Sequence, residues 1–162
     1  MSEKKKAAGY VKLAKLWEKN RETALKYHRG YYEKKFKDDP DYELYGVYVD
    51  ITGKKEIRKR PEMVRLIKDC RNGEVDCVFT QTKGYIAANN REFMYLTHYL
   101  FTLDNGVDIV TEDEQYHIDT VENEDEQKEA LLTLAKDYIA LNPADYDKWV
   151  TEIKREIDRS GL

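Results

Sequence analysis

Proline is scarce in this chain, with three residues among 162, and glycine is little commoner, with eight. Such scarcity excludes a collagen-like or low-complexity chain and favours regular secondary structure. Cysteine occurs only at Cys70 and Cys77, with no C-x-x-C pair. A disulfide framework and a zinc ribbon are therefore excluded, and a reduced, cytoplasmic setting is expected. No run approaches the roughly 18 apolar residues of a membrane helix. The opening MSEKKKAAGY is basic but has no apolar core, so neither a secretory signal nor a membrane partner is expected. His28, His98 and His117 show no H-x-x-H or H-E-x-x-H spacing and read as ordinary helix or strand residues. No metal site and no cofactor are expected.

What is present is charge, unevenly spread. Residues 1–37 hold 12 Lys/Arg against 4 Asp/Glu, whereas residues 104–162 hold 6 against 17. A basic half attracts polyanions, and an acidic half repels them or pairs with a basic partner.

Strand and helix signals alternate. AAGYVKLA reads as a strand, and a basic helix comes next over about 21–37, ended by Pro40. YELYGVYVDI is a second strand, rich in Tyr and Val. TGKKEIRKR is a basic loop, and Pro61 opens a helix in which Met63, Leu66, Ile67 and Cys70 share a face. Gly73 stops it. VDCVFTQT has the continuous apolar centre of a buried parallel strand. KGYIAANN reads as a loop before a helix from about Arg91, and VDIVTED and QYHID read as a fourth and a short fifth strand. An acidic helix comes next, and then a last helix with Asn142 as cap and Pro143 at its first position. This last helix carries Trp149, Val150, Ile153 and Ile157 as a stripe that must bury, on its own domain or on a second copy. The pattern predicts a three-layer α/β fold, with a mostly parallel central sheet of about five strands. It divides into an α/β core over 1–120 and C-terminal helices over 121–162 that serve packing or dimerisation. In such sheets ligands bind beyond the carboxyl ends of the strands.

The order YGVYVDITG, then KRPEMVRLIKDCRNGEVDCVF, then GVDIVTEDEQYHIDT resembles the catalytic domain of serine site-specific recombinases, the resolvase and invertase family. Tyr48, Val49, Asp50, Thr52, Gly53, Arg60, Pro61, Gly73 and Asp76 carry the resemblance, which covers about residues 7–120. It implies a resolvase-like fold. It also implies an enzyme in which a serine after the first strand attacks a DNA phosphodiester while arginines neutralise the phosphate. The chain departs from the family at those places. Tyr-x-Arg-x-Ser is here Tyr10, Val11, Lys12, Leu13, Ala14, and the arginines expected after the third strand fall at Gly84 to Ala88. Ala14 has no oxygen, and Lys12 lacks the planar fork of arginine. Tyr10, Lys12, Ala14, Asp50, Arg60 and Lys83 are therefore vestigial site positions. Lys12, Lys15, Arg58, Arg60 and Lys83 are candidate phosphate contacts.

Other constellations compete. Asp50, Asp104, Asp108, Glu112, Asp113 and Glu114 read either as carboxylates on one rim, suited to a divalent cation, or as solvated acids at strand ends. Thr80, Thr82 and Ser2 are the alternative oxygen nucleophiles. The tyrosines stack on bases or simply fill half-buried surfaces. The expected function is that of a recombinase-like protein associated with DNA recombination or mobile DNA, without strand cleavage. It would bind DNA weakly and non-specifically, and form a homodimer or pair with a recombinase. The alternatives are an active strand transferase with an unusual nucleophile, or an unrelated α/β regulatory module.

Overall fold

Nine residues, Lys5–Leu13, form strand β1, and the alternation of their side chains divides the molecule into two cores. Ala8 and Tyr10 face one core, and Ala7 and Val11 face the other. The computed structural model describes residues 3–113 and 117–161, with the backbone alone at 124 and 125. Strand β1 pairs in parallel with β2 (Tyr42–Ile51) and β3 (Cys77–Thr80), and β3 pairs in parallel with β4 (Asp108–Thr111). The order is β2-β1-β3-β4. Helix α1 (Arg21–Phe36) lays Tyr32 and Phe36 on one face of the sheet. The other face is covered by α2 (Pro61–Arg71), α4 (Asn90–Phe101), α5 (Glu129–Ala140) and α6 (Pro143–Arg159). The three-layer α/β arrangement is the one the alternation of signals predicts.

Among the described residues the sheet has four strands, against the expected five or so. Gln115 and Tyr116 of the expected fifth strand lie outside the described residues. The rest of that segment, 117–119, contributes a single antiparallel bridge, between Asp119 and Val110. KGYIAANN is not wholly loop, because Lys83–Ile86 form the one-turn helix α3, with the Thr82 hydroxyl accepting from the Gly84 N–H.

Local signals explain the helix boundaries. Pro61 occupies the first turn of α2, and Gly73 takes φ +77° just past its end, a backbone state that residues with a Cβ rarely adopt. Asn89 caps α4 and Asn142 caps α6, each side chain accepting a first-turn N–H. In β1, Gly9 lies against the face of Tyr32, and a Cβ there would sit 2.6 Å from the ring. That glycine lets α1 approach the sheet.

The stripe on α6 turns inward. Trp149, Ile153 and Ile157 are buried in the core shared with α2, α4 and α5, so they are not available to a second copy. Within the chain, the stripe is spent on packing. Cys70 and Cys77 are free and buried in different cores.

Candidate active site

At the carboxyl ends of β1 and β2, Lys12 is in register with Asp50 and Leu13 with Ile51. Alternation places Tyr10, Lys12 and Asp50 on the sheet face that carries α2. Tyr10 donates its hydroxyl to Asp50 Oδ2 at 2.8 Å. The same carboxylate accepts the Glu62 N–H at 3.0 Å and the Met63 N–H at 2.9 Å. Asp50 is thus the cap of α2, supplied from the sheet, where a negative charge also suits the helix dipole. Arg60, at the cap position in the chain, makes no capping bond with its side chain. Burial, and then the charge of Asp50, push the Tyr10 phenol well above its ordinary pKa, so Tyr10 remains a donor.

Arg60 is fully buried. Its Nη1 donates to the carbonyls of Tyr85 at 2.8 Å and Ile86 at 3.1 Å, and its Nη2 to that of Lys55 at 2.7 Å. Its Nε is buried without a partner. The guanidinium therefore joins the loop after β2 to α3 and offers no surface to a phosphate outside. This corrects its place among the candidate phosphate contacts. Burial, and then the charge of Arg60, lower the pKa of the half-buried Lys12 amine.

The remaining cations are placed differently. Lys15 is exposed at the start of a 3-10 turn, Lys15–Asn20. Lys83 lies over the Phe93 ring, with Nζ 4.4 Å from its centroid, a cation–π contact. Arg58 pairs with Glu56 at 3.0 Å and with Glu152 of α6 at 3.6 Å. Ala14 is exposed one residue past β1. The rim therefore collects positive charge from Lys12, Lys15, Lys55 and Lys83, and presents no hydroxyl at the first-strand position.

The sequence model of the family described as "Resolvase, N terminal domain" matches residues 18–145. The chain belongs to that family. The matched segment starts four residues after Ala14, so Tyr10 and Lys12 are placed by their position on β1, and Ala14 by standing one residue past it, rather than by the match. The fold of this resolvase-family domain resembles the crystal structure of the N-terminal catalytic domain of TP901-1 integrase. The TM-score is 0.55, with 22% identity, over 88% of this chain and 98% of that one. At that identity the likeness concerns the fold. Among curated proteins none matches the chain.

Among the described acids of the resolvase-family domain, Asp50, Glu112 and Asp113 lie at the carboxyl edge of the sheet and Asp104 and Asp108 at the amino edge, and they do not converge on one point. Asp50 is committed to α2. Asp108, at the opposite end of β4 from Glu112, pairs with Lys128 at 2.9 Å. Glu112 accepts the Tyr31 hydroxyl and pairs with Lys35 at 3.6 Å, fastening β4 to α1. The hydrogen bond to Glu112, and then burial, raise the Tyr31 phenol to about 12. Asp113 accepts the Thr82 hydroxyl at 3.3 Å, and Asp104 is exposed in the turn before β4. Glu114 lies outside the described residues. Among the described residues no group of three His, Cys, Asp or Glu is arranged to hold a metal.

Sequence reasoning missed Glu92. This buried carboxylate accepts the Ile57 N–H at 3.1 Å and the Trp149 indole N–H at 2.8 Å. It thereby pins the loop after β2 to α6. An acid on the apolar face of a predicted helix was the available signal, since such a residue is buried only with partners.

Proposed function

We propose that this chain is a resolvase-family domain that keeps the fold of a DNA strand transferase and has lost cleavage. The supporting observation is Ala14, which stands one residue past β1, beside Lys12, where the family carries its serine. Removing a nucleophile costs around 10⁶-fold in rate where this has been measured. The inward Arg60 adds to that loss, because charge developing on a phosphate needs donors already aimed at it. The alternative oxygens gain no support. The Thr80 hydroxyl is buried and donates to the Tyr10 carbonyl at 2.7 Å, and the Thr82 hydroxyl serves α3 and Asp113. Ser2 lies outside the described residues.

In this reading the domain works in the cytoplasm with mobile DNA, alongside a recombinase or a second copy of itself. Its own contact with DNA runs through Lys12, Lys15 and the loop lysines to phosphates. Such contacts carry no base readout and give affinities of about 10⁻⁴–10⁻⁶ M near physiological salt. Pairing with a protein uses a surface other than the α6 stripe. The test is incubation with supercoiled DNA and then a denaturing gel. Neither the wild type nor Ala14→Ser should leave a covalent protein–DNA adduct. An adduct formed by the wild type overturns the reading.

A further inference from the structure

The sheet is covered unevenly. Four helices lie over one face, and among the described residues α1 is the one long helix over the other. At the amino ends of the strands this leaves an open groove of about 490 Å³. Its floor is apolar, made by Tyr42, Phe79, Val110 and Val121. Three of these, Tyr42, Val110 and Val121, are only half-buried. Tyr42 and Phe79 join Phe36 in an edge-to-face trio, with centroids 4.9, 5.1 and 6.0 Å apart.

The rim of the groove has one sign. Among the described residues, Glu3, Asp41 and Glu122 stand exposed around it and the buried Asp119 lies in its wall, against one lining amine, Lys5. Asp119 also fixes part of the wall, its Oδ1 accepting the N–H of Val121 at 3.1 Å and of Glu122 at 2.9 Å. The wall is therefore preorganised, which lowers the entropy cost of docking. Burial first, then Cys77, Asp108 and Asp119, push the Tyr42 phenol above its ordinary pKa, so it stays a neutral hydroxyl on the floor.

We propose that this groove docks a basic, extended peptide segment of a partner protein. Its Lys and Arg side chains meet the carboxylates, and an apolar side chain rests on the floor between Tyr42 and Val121. Three exposed carboxylates against one lining amine select a cationic partner and reject nucleic acid and acidic helices. The aromatic trio suits the same chemistry. The chain already places Lys35 Nζ 5.8 Å from the Phe36 centroid and 5.9 Å from that of Phe79. The groove opens at the end of the strands opposite to Lys12 and Ala14, so a docked protein leaves the basic rim accessible. This surface is independent of whether the domain cleaves DNA.

The experiment titrates the full chain, at low salt, with a fluorescein-labelled octapeptide of Lys, Arg and Leu. A second peptide with Glu in place of Lys and Arg serves as the control. Anisotropy reads affinity, and amide shifts of ¹⁵N-labelled protein read location. Saturable binding is expected, about tenfold tighter for the basic peptide, with shifts centred on Tyr42, Val110 and Val121. Asp41→Lys with Glu122→Lys changes two exposed positions and should weaken binding by about tenfold or more. Glu129→Lys with Asp137→Lys, on exposed positions of α5, should leave it within about twofold. Absence of saturation, shifts spread over α5, or an unaltered affinity in the Asp41/Glu122 variant each overturn the proposal. Spermine giving the same shifts with the same affinity overturns it too, by showing that charge alone is read.

Discussion

The indole N–H of Trp149 donates to Glu92 at 2.8 Å, and through this bond α6 is bound to α4 and to the loop that carries Arg60. The same carboxylate holds the Ile57 N–H, so one buried acid satisfies two donors from different segments. The last helix is part of the fold and not an appendage.

Trp149→Ala should therefore destabilise the domain by about 3–5 kcal/mol, the usual cost of emptying a large buried aromatic site. Urea unfolding monitored by circular dichroism measures it. Ile153→Glu should unfold the protein outright. A soluble, folded Ile153→Glu monomer arising from a wild-type dimer would show instead that the stripe serves association.

Arg60→Ala leaves the carbonyls of Lys55, Tyr85 and Ile86 without their donor. The loss should be about 3 kcal/mol or more, given roughly 1–3 kcal/mol for each buried group left unsatisfied. Hydrogen exchange should accelerate in residues 52–60 and 82–88 together, since one side chain ties both. Acceleration in only one segment, or in neither, would remove Arg60 as the tie.

Gly9→Ala places a methyl group 2.6 Å from the buried ring of Tyr32. Crowding of this kind costs about 1–3 kcal/mol. Combined with Tyr32→Ala, the same change should cost much less than it does alone, because the obstructing ring is gone. The coupling is read from four unfolding curves, and strict additivity would contradict the close approach.

Arg91 and Tyr95 donate to Asp145, at 2.7 Å each, and these bonds hold its carboxyl down at about 2. A depressed carboxyl stabilises the fold above its unfolded pKa, near 4, and loses that contribution as pH falls through about 2. Asp145→Asn should lower stability at pH 7, and the gap between variant and wild type should narrow from about pH 4 to about pH 2. A gap of constant size across that range would assign the loss to packing.

The sequence by itself determined the layering. The alternation of strand and helix periods, Pro61 at the head of α2 and Gly73 past its end come from local backbone chemistry, which needs no distant contact. It also determined that position 14 carries no hydroxyl. The tertiary structure decided which partners the side chains meet. The apolar spacing of Trp149, Ile153 and Ile157 demands burial but does not say against what, and long-range packing turned the stripe onto α2 and α4. Arg60 reads as a free cation in a basic loop until α3 brings two carbonyls to it. Asp50 reads as a solvated acid or a metal ligand until α2 places its first N–H groups there. Charge and periodicity are properties of a segment. Burial and pairing are properties of two segments brought together, and for Asp50, Arg60 and Trp149 the second segment lies 12, 25 and 57 positions away.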